Sequence, residues 1–133
     1  MALSQTAEYA LRAVLYLARQ GNGRVPADAI AGAVGAPANY MSKTLNQLAK
    51  AGIVTGTRGP MGGFQLAIPA GRLTVARIVE TFTAVKPNQV CLLGDRPCTA
   101  RRPCAVHHRW TAVQAAMDAP LRETTIADLL QDV

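Results

Sequence analysis

The sequence predicts a mainly α-helical chain with one small β-hairpin. A winged helix-turn-helix unit is expected over residues 1–83, a cysteine-rich loop over 84–103, and a dimerisation helix with a last short helix over 104–133. Three observations carry this reading. Apolar residues recur at helical spacing through the first fifty positions, with glycine breaks between the segments. Two β-prone runs then flank a Gly/Pro connection. Later, all three cysteines fall between Cys91 and Cys104, where the helical periodicity fails.

In the first segment, Ser4 to Gln20, Ala7, Leu11, Val14, Leu15 and Ala18 lie at helical spacing. Ser4 suits an N-cap, and Gly21-Asn22-Gly23 ends the helix. A shorter helix is expected from Pro26, a good first-turn residue, to about Val34. Gly35 breaks it, and Pro37 restarts a helix to Ala51 with Tyr40, Met41, Leu45, Leu48 and Ala49 on its buried side. Two short helices across a Gly turn form a helix-turn-helix pattern. The runs 53–58 and 64–68, around Gly59-Pro60-Met61-Gly62-Gly63, read as a hairpin, the wing. Thr74 caps a fourth helix through Phe82, with Val75, Ile78, Val79 and Phe82 on its apolar side. Helical character returns from about Cys104 to Met117 with Val106, Trp110, Val113 and Met117 on one face. Thr125-Ile126-Ala127-Asp128 resembles a capping box and opens a last helix through Leu130.

A chain of 133 residues fits one domain, or one small domain with an extension. Half of its residues are hydrophobic and 17% are charged, which suits a core rather than disorder. The longest charge-free stretch, Ala29 to Ser42, is broken by Gly and Pro and falls short of the ~20 apolar residues of a membrane span. The N-terminus lacks the basic region and apolar block of a secretory signal, so a soluble cytoplasmic protein is expected.

Fourteen basic residues against eight acidic ones give a net charge of +6. Residues 1–60 hold six of the cations and two of the acids, leaving +4, and no acid occurs between Asp28 and Glu80. A polyanion meeting this stretch encounters no repelling carboxylate from it, which suits nucleic acid. In a winged helix the second helix of the pair enters the major groove. The positions that would face base edges are Ala38, Asn39, Ser42 and Lys43, with Asn46 further along. Asn pairs with adenine, Ser reads either partner, and Lys contacts guanine or phosphate. Asn39 as a local cap and Lys43 as a solvated charge are the competing readings. Arg58, beside Gly59 and Gly62 in the wing, is placed to reach a narrow minor groove while the glycine backbone approaches phosphate. No nucleotide-binding loop, Ser/His/Asp set or paired acids argues for an enzyme.

The cysteine segment reads CLLGDRPCTARRPCAVHHRW, with Cys91, Cys98 and Cys104 followed by His107. Three clustered thiols, odd in number, fit a metal, a cluster or redox chemistry better than a secreted disulfide framework. There is no Cys-x-x-Cys pair, the usual sign of structural zinc, and the wide spacing suits a loop around a cluster. Zinc and plain thiols stay open on the residues alone. His107 lies one helical turn after Cys104, so both can point the same way.

Four blocks, TAEYALRAVLYLA, NYMSKTLNQLAKAGIV, TRGPMGGFQLAIP and the three-cysteine segment, together resemble the bacterial IscR/NsrR family of winged-helix regulators. The resemblance runs from Thr6 to about Trp110. It implies a homodimeric transcription factor, a repressor on a palindromic double-stranded DNA operator, whose cysteine loop holds an iron–sulfur cluster. A 2Fe–2S cluster is the first expectation and 4Fe–4S the second. The signal would be redox state, nitric oxide or cluster supply. Its cofactor-binding residues would be Cys91, Cys98 and Cys104, with His107 at the position of the histidine ligand of IscR-type members. Glu8 matches the place where NsrR-type members offer a carboxylate from the partner subunit. The alternative is a winged-helix regulator with structural zinc or a thiol-based switch and no cluster. Met61 stands where the family usually has another glycine, which bears on minor-groove fit. The apolar face of Trp110, Val113 and Met117 is the expected dimer seam.

Overall fold

Ser4 opens the first helix, α1 (Gln5–Gln20): its side-chain oxygen accepts a hydrogen bond from the Ala7 amide at 3.2 Å. The structure is a computed structural model and describes residues 4–21, 23–82 and 105–131. Around α1 pack α2 (Ala27–Val34), α3 (Ala38–Lys50), the hairpin, α4 (Val75–Thr81) and α6 (Ile126–Gln131). Being covered from several sides, α1 buries Ala10, Ala13 and Leu17 as well as the expected Ala7 and Val14, while Leu11, Leu15 and Ala18 are half-buried. Small alanines let neighbouring backbones approach the helix closely.

Pro26 lies just outside α2 as its N-cap, and α2 ends at the left-handed Gly35, whose amide bonds to the Ala31 carbonyl. Pro37 then occupies the position just before α3, which buries Met41, Thr44, Leu45 and Leu48. Thr44 is a polar residue in this apolar row; its hydroxyl donates to the Tyr40 carbonyl at 3.0 Å, so no buried donor is left unmade. Tyr40 itself is only half-buried. Arg77 of α4 donates to the Ala51 carbonyl at 3.1 Å and secures the far end of α3.

The hairpin consists of β1 (Val54–Thr57) and β2 (Gly63–Leu66), antiparallel, with Val54 opposite Leu66 and Thr57 opposite Gly63. Both strands are shorter than the sequence runs suggest. Val25 adds a third partner, exchanging both backbone hydrogen bonds with Phe64 at 2.9 and 2.8 Å. That pairing anchors the wing to the segment before α2. Gly63 allows it: φ there is +149°, and a Cβ would stand 2.6 Å from the Val25 carbonyl.

Thr74 caps α4 as expected, through the Arg77 amide. The helix with the Val113 face, α5 (His107–Glu123), starts later and runs further than its periodicity suggests, continuing through Pro120. Proline costs it one internal hydrogen bond, and α5 stops at Glu123. Arg122 ties α5 to α4 through Glu80 at 2.7 Å and also meets Asp118 at 2.5 Å. The chain then returns to the core. Thr74 and Thr125 form a β-bridge, and Ile126 is fully buried with the residues of α1, α2 and α3. Thr125 and Asp128 cap α6 reciprocally: the Thr125 amide donates to the carboxylate, and the Asp128 amide to the hydroxyl.

Two outcomes follow. Gly63→Ala should destabilise the chain by about 1–3 kcal/mol, read from the denaturant midpoint, because backbone must move to admit the Cβ. The Thr125 hydrogen bonds, backbone first, hold the Asp128 carboxyl below its usual range. A depressed folded-state value stabilises above the unfolded carboxylate range and is lost as pH falls through the folded value. Hydrogen-exchange protection in α6 should therefore fall with acidification through that range, and more weakly in Asp128→Asn.

Candidate nucleic-acid interface

Burying Met41, Thr44, Leu45 and Leu48 turns the opposite side of α3 outward. Ala38, Asn39, Lys43 and Asn46 are exposed there, and Ser42 is half-exposed. Spacings of three and four residues place them on one helix face. Pro37 supplies no side-chain cap, and the first-turn amides of α3 lie at its positive end. Asn39 has a local role: its Oδ1 accepts from the Tyr40 amide at 2.9 Å. Paired hydrogen bonding with adenine would call on the second lone pair of that oxygen and on the side-chain amide group.

The first turn of α3 is fastened to the first turn of α1. The Tyr40 and Thr6 hydroxyls are hydrogen-bonded, the Tyr9 ring meets Tyr40 edge-on at 5.6 Å, and Gln5 donates to the Tyr9 hydroxyl. In the wing, Arg58 and Gly59 are exposed just after β1, and Gly62 is half-exposed. Gly62 donates to the Gly59 carbonyl at 2.9 Å, closing a tight turn with Pro60 and Met61 at its corners.

Charge completes the picture. Among the described residues the ion pairs join Arg12 to Glu8 and Arg122 to Glu80 and Asp118; none involves Lys43, Lys50 or Arg58. Gln47 and Lys50, which the sequence does not single out, are also exposed on α3. Lys50 lies seven residues after Lys43, two turns on, and that spacing was the available signal.

The metal-ligand candidates are only partly in view. Cys91, Cys98 and Cys104 lie outside the described residues, as does the side chain of His107, whose backbone begins α5. Glu8 is exposed on the first turn of α1, and its Oε1 accepts from Arg12 at 2.6 Å. Among the described residues no group of three or more His, Cys, Asp or Glu side chains converges. None of the described helices is long and apolar enough to cross a membrane.

The family model described as "Rrf2: Iron-dependent Transcriptional regulator" matches residues 3–132. The chain belongs to the Rrf2 family. It is accordingly a transcriptional regulator that binds DNA, not an enzyme. An Rrf2 relative from Aquifex aeolicus (strain VF5), named as an HTH-type transcriptional regulator, is 35% identical over 132 residues, 98% of this chain and 92% of its own. A similarly named protein of Mycobacterium tuberculosis (strain H37Rv) is 33% identical over 131 residues, 97% of this chain and 81% of its own. The Rrf2 fold is matched by CymR (YrzC), the global cysteine regulator of B. subtilis. Its TM-score is 0.84 at 24% identity, covering 100% of this chain and 98% of that one. T. potens IscR has a TM-score of 0.78 at 25% identity, covering 99% and 88%.

Lys50→Ala and Arg58→Ala should each weaken binding to duplexes of any sequence and lower the salt slope by about one, as for one lost phosphate contact. Lys43→Ala should in addition relax sequence choice. Titrations of labelled duplex at several salt concentrations measure both; unchanged slopes for all three variants place the DNA surface elsewhere.

Proposed function

We propose that this Rrf2 regulator acts in the cytoplasm as a homodimeric repressor, gripping a palindromic operator with α3 and the wing. The observation that carries the reading is that Lys43 and Lys50 lie on the side of α3 the core leaves exposed and Arg58 is exposed in the wing, none of the three having an ion-pair partner among the described residues. Ala38, Asn39, Ser42, Lys43 and Asn46 serve base edges and nearby phosphates, and Arg58 with Gly59 and Gly62 serves the minor groove. A dimer spaces two such faces about one helical turn of DNA apart. The seam is α5, where Val113 and Met117 stay 46% and 37% exposed in one protomer.

Operator affinity is regulated through residues 91–107. Three thiolates and an imidazole, from Cys91, Cys98, Cys104 and His107, form a donor set suited to an iron–sulfur cluster, 2Fe–2S ahead of 4Fe–4S. A bound cluster would supply a change of charge and ligation that answers to redox state, nitric oxide or cluster supply. Residues of the chain carry the rest. The cysteine segment leads directly into α5, and Arg122 fastens α5 to α4 through Glu80, so a change of α5 is passed toward the two α3 helices; it regulates operator binding because the two states differ in DNA affinity. A zinc site or a thiol switch on the same three cysteines is the second reading, since a clustered set of thiolates serves either chemistry.

Anaerobic isolation with iron, sulfide and zinc analysis separates these. Visible absorbance should vanish in Cys91→Ala, Cys98→Ala and Cys104→Ala, weaken and shift in His107→Ala, and persist in Glu8→Ala. Stoichiometric zinc without iron in the parent would replace the cluster by the structural-zinc reading. Light scattering should give a dimer at micromolar concentration; a monomer in metal-loaded and apo forms alike would remove α5 as the seam.

A further inference from the structure

The wing tip carries a side chain that neither the core nor the charge pattern explains. Met61 is 87% exposed, the most exposed of the large hydrophobic side chains among the described residues. Its place is held tightly. It occupies a corner of the Gly59–Gly62 turn behind Pro60, whose ring fixes its own backbone. A Cβ on Gly62 would stand 2.2 Å from the Thr57 carbonyl oxygen, so this glycine is obligatory for the turn that puts Met61 at the apex. The base of the wing is braced by the Val25–Phe64 pairing. A braced hairpin that ends on a thioether, three residues after an arginine with no ion-pair partner among the described residues, presents an apolar tip near a phosphate-seeking cation.

We infer that Met61 is an apolar wedge for the DNA minor groove, entering partway between two stacked base pairs while Arg58 holds the adjacent backbone. The inference rests on the wing's being a DNA contact and goes further, assigning Met61 a part in sequence choice. Unbranched and polarizable, the Met side chain adapts to a base step as it does to irregular core gaps. Methionine is among the side chains that unstack base steps from the minor groove. Unstacking is easiest at pyrimidine–purine steps, TA and CA/TG, so the wedge favours operators with such a step under each wing. The occupant is duplex DNA because charge complementarity selects it: no acidic residue lies between Asp28 and Glu80, and Lys43, Lys50 and Arg58 have no ion-pair partner among the described residues.

The test uses the full-length protein and a random duplex library. Wild type should enrich duplexes with a pyrimidine–purine step at a fixed distance from the α3 contacts, and 2-aminopurine placed at that step should brighten on binding. Met61→Gly and Met61→Gln should lose the brightening and the step preference and bind the selected duplex roughly five- to tenfold more weakly, the scale of one lost specific contact. Met61→Leu should retain most of all three properties. Thermal melts check that each variant is folded, which an exposed tip residue should allow. Selection, affinity and 2-aminopurine signal unchanged in Met61→Gly would overturn the inference while leaving the DNA-binding face intact. So would weaker binding with an unchanged 2-aminopurine signal, or a change of oligomeric mass in the Met61 variants with DNA binding preserved. A wild-type protein that enriches no duplex would overturn the DNA reading and the wedge with it.

Discussion

Everything that faces outward here depends on what α3 buries. Met41, Leu45 and Leu48 are fully enclosed against α1 and α2, and Thr44 joins them because its hydroxyl is satisfied within the helix. Each large side chain in that row contributes about 1.5–3 kcal/mol relative to an exposed one. Rotating α3 by one residue would expose these groups and drive Lys43 or Asn46 into the core. The outward face of α3 is thus fixed by the apolar one, and its geometry is as firm as the packing behind it.

Three further attachments turn a fixed face into a fixed site. The Tyr40–Thr6 hydrogen bond and the Tyr9 ring hold the N-terminal turn of α3, and Arg77 holds the Ala51 carbonyl at the other end. Val25 holds the wing through Phe64. Site residues on a helix supported in this way require little reorganisation on binding, so less affinity is lost to ordering. The return of α6, with Ile126 in the core and Thr125 bridged to Thr74, secures the N-terminal end of α4, and Glu80 near its other end reaches α5. Movement of α5 is therefore mechanically connected to the element that holds α3.

Much of this was legible in the residues. The order of helices, the glycine-rich wing, the Thr74 and Thr125 caps and the outward face of α3 follow from local rules of periodicity and capping. Tertiary features were not. Nothing local marks Val25 as a partner of Phe64, or the breadth of the α1 face that buries Ala10, Ala13 and Leu17, because both arise from elements distant in sequence. Pro120 concealed the length of α5, since a proline ordinarily signals an end. In the site, Lys43 and Arg58 stood out by charge and position. Lys50 counted only toward the positive charge of the first sixty residues, and the engagement of Asn39 by the Tyr40 amide is a matter of side-chain direction that spacing does not encode.

The central claim, that the core presents α3 and the wing together as the DNA-reading surface, is tested most directly by mapping amide chemical shifts of the full-length protein on titration with a duplex selected from a random library. Perturbations should concentrate on the exposed side of α3, from Ala38 to Lys50, and in the turn from Arg58 to Gly62, with α6 little affected. Perturbations centred on α6 or on the exposed side of α1, with α3 and the wing silent, would contradict it.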